Sequence, residues 1–168
     1  MASRSPKFTT TYSAILCFIA FSPIVAMASV HDLLPLYKLP KGLLPREIDS
    51  CCLSNKDDSF TMELGKHPCY VRFSVGEQQQ LVFFDRKVKG KLGLGKVREV
   101  SGIMAKKFMV WVNVSGIDVD EENGMLEFHV GPFSQKFPAE DFQVIHNCSS
   151  DAAIRLPFSS LLQPAALG

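Results

Sequence analysis

Three stretches of the chain carry residue types at spacings that could do chemistry, and each departs from the pattern that its chemistry needs. Gly90-Lys-Leu-Gly-Leu-Gly95-Lys96-Val97 has the glycine and lysine spacing of a phosphate-binding loop. Val97 stands where a Ser or Thr hydroxyl must hold magnesium, and no helical pattern follows to aim amides at an anion. These glycines are expected as bends or bulges in a curved sheet. Asp118-Val-Asp-Glu-Glu-Asn-Gly124 resembles the start of a calcium loop, but its glycine falls one place late, Glu122 occupies the third ligand position and His129 stands where the closing glutamate belongs. The acidic cluster is expected as a solvated hairpin tip. For nucleophilic catalysis there is no G-x-S-x-G, and His31, His67, His129 and His146 are scattered without an adjacent serine or cysteine. A triad is assembled in space, so this weakens a hydrolase without eliminating it.

The same test applied to the remaining polar groups assigns no catalytic residue, metal ligand or cofactor. His129 shares a strand face with Glu127 and is expected as an exposed cross-strand partner, and His67 precedes Pro68 in a turn. Asp57-Asp58 and Glu140-Asp141 have turn-like neighbours, where carboxylates solvate or cap. No Cys/His spacing of a zinc site occurs. What does point to a ligand is apolar. Leu81-Val-Phe-Phe84 and Phe108-Met-Val-Trp-Val112 are hydrophobic on both strand parities, so they are either central strands covered on both faces or strands lining a cavity. On the second reading Phe83, Phe84, Met109 and Trp111 are candidate lining residues for an apolar or amphipathic small molecule, since pockets are mostly apolar with few polar groups.

The chain that must position these groups has 168 residues, 46% of them hydrophobic, with 18 basic and 17 acidic side chains. That suits one globular domain; the apolar fraction is too high for a disordered chain, and the balanced charge argues against a nucleic-acid binder. Residues 1–28 carry Arg4 and Lys7 and no carboxylate, then the run Ala14–Phe21, then Pro23 and Ala26-Met27-Ala28. A positive start, a short apolar stretch and an A-x-A site are the parts of a secretory signal peptide, and the run is too short and too broken for a bilayer span. The expected product is soluble, has no transmembrane span, and enters the secretory pathway, with an extracellular destination such as the apoplast or cell wall.

Loss of the signal removes Cys17 and leaves Cys51, Cys52, Cys69 and Cys148, which allow three pairings that spacing does not choose among. On a strand, Cys51 and Cys52 point to opposite faces, so only one can enter the core. Asn113-Val-Ser115 and Asn147-Cys-Ser149 are candidate glycosylation sites at Asn113 and Asn147.

The element pattern is mainly β. Val30–Pro40 suggests a short helical or turn-rich entry, any helix limited to about two turns by Pro35 and Pro40, and Lys41–Arg46 an ordered loop. From Ser50 to about Ile145 the period is two: Phe60, Met62 and Leu64; Val71, Phe73 and Val75; Val88, Leu92 and Leu94 opposed by Lys87, Lys89 and Lys91. Ile117/Val119 and Leu126/Phe128/Val130 flank Asn123-Gly124, a hairpin signal. Turn signals every eight to twelve residues or so predict a single compact antiparallel barrel-like or sandwich domain over residues 29–148, with a short amino-terminal helix. Residues 149–168 are expected as a loosely ordered tail.

Leu39-Pro-Lys-Gly-Leu-Leu-Pro45, Pro68-Cys69, Val88-Lys-Gly-Lys91, Val100-Ser-Gly-Ile-Met-Ala-Lys106, Phe108–Val112, Val130-Gly131 and Lys136-Phe-Pro138 together resemble the plant family called domain of unknown function 538. The resemblance covers roughly residues 31–148. It implies a small β barrel-like domain with a short amino-terminal helix, a plant source and a link to stress responses, and it makes Cys69–Cys148 the preferred disulfide. The Cys51-Cys52 doublet departs from the family, whose members often carry an aromatic residue near Cys51. No agreed catalytic residue comes with it. The functional expectation is non-enzymatic binding of a lipid-like or other apolar small molecule. A structural or interaction protein of the cell wall or secretory pathway is the alternative, and an ester hydrolase is less favoured.

Overall fold

The computed structural model describes residues 29–150. The expected signal peptide, Cys17 and residues 151–168 of the expected tail lie outside the described residues. The entry segment forms one helical turn, α1 (Val30–Leu33), running into a 3-10 turn at Leu34–Tyr37. Its N-cap Ser29 and Asp32 bond each other's backbone reciprocally. A second 3-10 turn, Lys41–Leu43, follows, with Leu43 and Leu44 buried.

Eight strands then make one antiparallel sheet: β1 (Ile48–Leu53), β2 (Ser59–Leu64), β3 (Cys69–Val75), β4 (Gln78–Gly93), β5 (Lys96–Lys107), β6 (Val110–Asp120), β7 (Met125–Val130) and β8 (Phe133–Pro138). They pair in the order β1-β2-β4-β5-β6-β7-β8, with β3 also on β4. The expected period-two strands are present, except that Leu94, expected on the inward face with Val88 and Leu92, lies past the end of β4 in an exposed turn. The two segments read separately around Phe84 and Val88 are one strand of 16 residues. Straight, it would run about 53 Å, too long for a small core, and it bends. Between Phe84↔Ile103 and Lys89↔Ser101, β4 spends Asp85–Val88 where β5 spends only Gly102. The outer edge of β4 therefore takes β3 along Gln78–Phe84 and β2 along Lys87–Lys91 in succession.

The curl wraps the sheet around one core in which Met62, Val71, Phe84, Val88 and Leu126 are essentially fully buried. β1 and β8, at the ends of the strand order, do not pair, so the barrel-like shell is not closed. A third 3-10 turn, Ala139–Phe142, covers the seam between β8 and β3. Phe142 lies 5.3 Å from the ring of Phe73 on β3 and 5.2 Å from Phe128 on β7. Beyond it Ser149 exchanges backbone hydrogen bonds with Tyr70, and Cys148 is bonded to Cys69. The pairing implied by the family resemblance is the one found. It closes a loop across 79 positions, a constraint on the unfolded chain worth about 4 kcal/mol in the loop-entropy account. Ser149, expected as the first residue of a loose tail, is held by this pairing.

The reading of one apolar run needs restating. Phe108–Val112 is not a covered strand: Phe108 and Met109 form the two-residue turn between β5 and β6, 97% and 87% exposed. No Gly, Pro or Asn marks that turn, so the apolar run reads as strand. The Gly90–Gly95 stretch behaves as expected, with Gly90 packed under the Phe60 ring and Gly95 in the β4–β5 turn at φ +67.

Gly102 is the sharpest test of the bend. It sits at φ +87, and a Cβ there would lie 2.5 Å from the carbonyl oxygen of Lys87. Gly102→Ala is expected to destabilise the protein by about 2 kcal/mol or more, read as a lowered urea midpoint; an unchanged midpoint would show that the corner of β4 is not built on that glycine.

Candidate functional site

Strand pairing does not bring the four candidate lining residues into one cavity. Phe84 points into the core. Phe83, next along the strand, takes the opposite face, where it meets Tyr70 at 5.0 Å, His67 at 5.8 Å and Trp111 at 6.2 Å. Trp111 is 38% exposed, with the Lys106 ammonium 5.9 Å from its ring. Met109 belongs to the exposed turn. The two-faced run Leu81–Phe84 thus owes its outer hydrophobicity to an aromatic cluster on the outside of the sheet.

The interior holds two small apolar cavities of about 70 and 50 Å³, the first between the sheet and α1, with Cys51 on its wall. Neither is of drug-like ligand size, which starts near roughly 300 Å³. A third space is large enough. The β3–β4, β5–β6 and β7–β8 turns lie at one end of the sheet, and between them opens a cleft of about 890 Å³. Its apolar walls include Leu81, Met109, Val112, Val130 and Phe133, and three cations line it, Arg72, Lys106 and Lys107, with no carboxylate.

Lys107 sits where this cleft meets the second interior cavity, because Gln80, Lys107 and Gln135 line both. Its ammonium donates to Gln80 Oε1 at 3.1 Å and to Gln135 Oε1, and lies 5.6 Å from the Phe137 ring. Gln80 is held in place by donating its amide to the carbonyls of Lys106 at 2.9 Å and Leu81 at 3.1 Å. Among the described residues no carboxylate forms an ion pair with Lys107. Burial alone pulls its pKa below the usual lysine value. The sequence reading passed over this residue. The available signal was parity: Lys107 follows Ile103 and Ala105 on the inward side of β5.

The outer face of β6–β8 carries a second polar arrangement, of which the sequence signals only His129 as a cross-strand partner, here half-buried and not exposed. His129 on β7 has Nδ1 2.9 Å from Ser134 Oγ on β8 and Nε2 2.5 Å from Asp118 Oδ2 on β6. Arg98 on β5 donates to the other Asp118 oxygen at 2.5 Å. With its proton on Nε2, the ring donates to Asp118 and accepts the Ser134 hydroxyl, the order of parts in a nucleophile, base and orienting carboxylate. Partial burial raises the Asp118 pKa, but hydrogen bonds from Arg98 and His129 outweigh it and hold the carboxyl below its ordinary value. Nothing in sequence order signals this, since residues 118, 129 and 134 meet only through the register Gly116↔His129↔Ser134.

The expected hairpin tip is as read: Asp120 accepts from the Asn123 side chain and from Lys136, with Gly124 at φ +64. Asn113 and Asn147 are both exposed, Asn147 accepting from Arg46 at 3.0 Å. Among the described residues no three His, Cys, Asp or Glu side chains gather as metal ligands, and no helix is long and apolar enough to cross a membrane.

A family model described as protein of unknown function, DUF538, matches residues 30–143. No curated protein and no solved structure matches the chain.

A lysine with a lowered pKa opposes folding at neutral pH, because the unfolded chain keeps its charge in water; the opposition fades as pH rises through the lowered value. Lys107→Met keeps the stem volume and removes the charge, so its melting temperature at neutral pH is expected to equal or exceed the parent's. A drop equivalent to more than about 2 kcal/mol would mean that the two amides over-compensate the ammonium and that it serves the fold.

Proposed function

The chain belongs to the family described as protein of unknown function, DUF538, and since that description hands down no activity, we propose from the geometry that the protein binds an anionic amphiphile without transforming it. Lys107 takes the anionic head and the apolar walls of the cleft take the tail. The observation that carries the reading is a half-buried ammonium that, among the described residues, meets two side-chain amides and an aromatic face and no carboxylate, at the inner end of a cleft that three cations line. A carboxylate or phosphate arriving there meets a desolvated partner, where a charge-assisted hydrogen bond is strong. The export pattern of residues 1–28 supports placing this binding in the secretory pathway, and the extracellular space is its proposed destination.

A second reading has its own observation. Ser134 borders the cleft and also bonds His129, so an ester lying in the cleft would present its carbonyl near a hydroxyl with a base behind it. This would make the protein an ester hydrolase with Ser134 as nucleophile, His129 as base and Asp118 as its orienting group.

Trp111 is the single tryptophan, so its emission reports on this end of the molecule alone. Titration with decanoate is expected to give a saturable change, with methyl decanoate binding at least about tenfold more weakly and Lys107→Met losing the same factor. Flat curves for both ligands, or equal affinity in Lys107→Met, would end the first reading. For the second, nitrophenyl ester hydrolysis by the purified protein should vanish in Ser134→Ala and in His129→Ala; turnover that survives both substitutions removes it.

A further inference from the structure

We propose that the cleft end of the molecule docks on a bilayer surface carrying anionic headgroups, with Phe108, Met109 and Phe133 entering the boundary between headgroups and acyl chains. The proposal deepens the cleft reading, on which it rests in one respect: it names the bilayer as the source of the amphiphile.

The first support is the distribution of exposed hydrophobic side chains. Singly exposed ones are ordinary, whereas a contiguous group marks an interaction surface. Phe108, Met109, Val110 and Phe133 are 97%, 87%, 58% and 72% exposed, and all four line the same cleft on two neighbouring hairpin turns. An aromatic and a thioether at the tip of a protruding turn can enter a lipid interface without any movement of the sheet.

A second support is backbone strain. Lys107 pairs with Val110, so Phe108 and Met109 are the whole of the β5–β6 loop, and Phe108 holds φ +53. A two-residue hairpin loop favours Gly or Asn at a left-handed position, and a bulky side chain there is strained. Inside the fold this phenylalanine buries nothing that would offset the strain. Among the described residues nothing covers its ring, which is left for an outside surface to take up.

Charge then selects the surface. Arg72, Lys106 and Lys107 line the cleft without a carboxylate. Glu77 lies at the neighbouring β3–β4 turn, and Asp141 there accepts the Gly76 amide at 3.0 Å. At the far end of β6, about 33 Å away by strand rise, the β6–β7 turn carries Asp120, Glu121 and Glu122. Of these two ends, the apolar one complements an anionic bilayer.

Sedimentation with vesicles of phosphatidylcholine, alone or mixed with phosphatidylserine, tests the proposal on the purified protein. Binding to the mixed vesicles is expected, weakening with added salt, and Phe108→Asn combined with Met109→Ser should lower the bound-to-free ratio at least about tenfold. Asn accepts the left-handed conformation, so this variant's melting temperature should match or exceed the parent's, which separates lost docking from lost folding. Equal sedimentation of variant and parent, equal binding to both vesicle types, or no binding to either would overturn the proposal. Decanoate binding without vesicle binding removes the docking and leaves the cleft; vesicle binding without decanoate binding does the reverse.

Discussion

A strand of 16 residues cannot stay straight and still share one small core, and the break in β4 is the constraint on which the other features hang. Four residues of β4 face a single glycine of β5, and that mismatch turns the corner. Because β4 bends, β2 and β3 follow one another along one of its edges, and the sheet curls around Phe84 and Val88 instead of spreading flat. The shell stays open, because β1 and β8 do not pair. A seam between β8 and β3 would expose apolar side chains and unpaired strand edge, and Phe142, the Cys69–Cys148 bond and the Ser149–Tyr70 pairing cover it.

Once the curl is set, the hairpins sort into two ends of unlike chemistry. The β6–β7 turn at one end is polar and acidic, tied down by Lys38–Glu121 and Lys136–Asp120. At the other end the β5–β6 turn is apolar and Phe133 follows the β7–β8 turn, and the interior behind them is stoppered by Lys107, Gln80 and Gln135. An all-hydrophobic stopper would pack as well and cost less desolvation. The polar one preserves a charge at the boundary between cleft and core, and the proposed anion binding rests on that charge.

Much of this architecture was legible in the sequence because it rests on local rules. Alternation in Phe60–Leu64 and Val71–Val75, the Asn123-Gly124 turn and the proline-bounded entry each follow from backbone sterics and from one face being buried. The resemblance to the family supplied Cys69–Cys148, which spacing alone left among three pairings. The candidate site was far less legible. Phe83 and Phe84 were read as joint lining, yet adjacent strand residues must face apart. Phe108-Met109 looked like strand because propensity records how well a side chain suits a pleated surface and ignores whether that surface is covered. The partners of Lys107 and the Ser134–His129–Asp118 chain depend on which residues of neighbouring strands stand opposite one another, and a single sequence holds no direct record of register.

The seam carries a further consequence for where the folding unit ends. The family match stops at residue 143, but the covalent staple and the last backbone pairing come at Cys148 and Ser149. A fragment trimmed to the matched boundary would keep every strand of the sheet and still lose its clasp, leaving Cys69 without a mate and Tyr70 without its edge partner. Recombinant pieces, fusions and limited-digestion products of this domain should therefore be judged by whether they retain those few residues past the recognisable pattern.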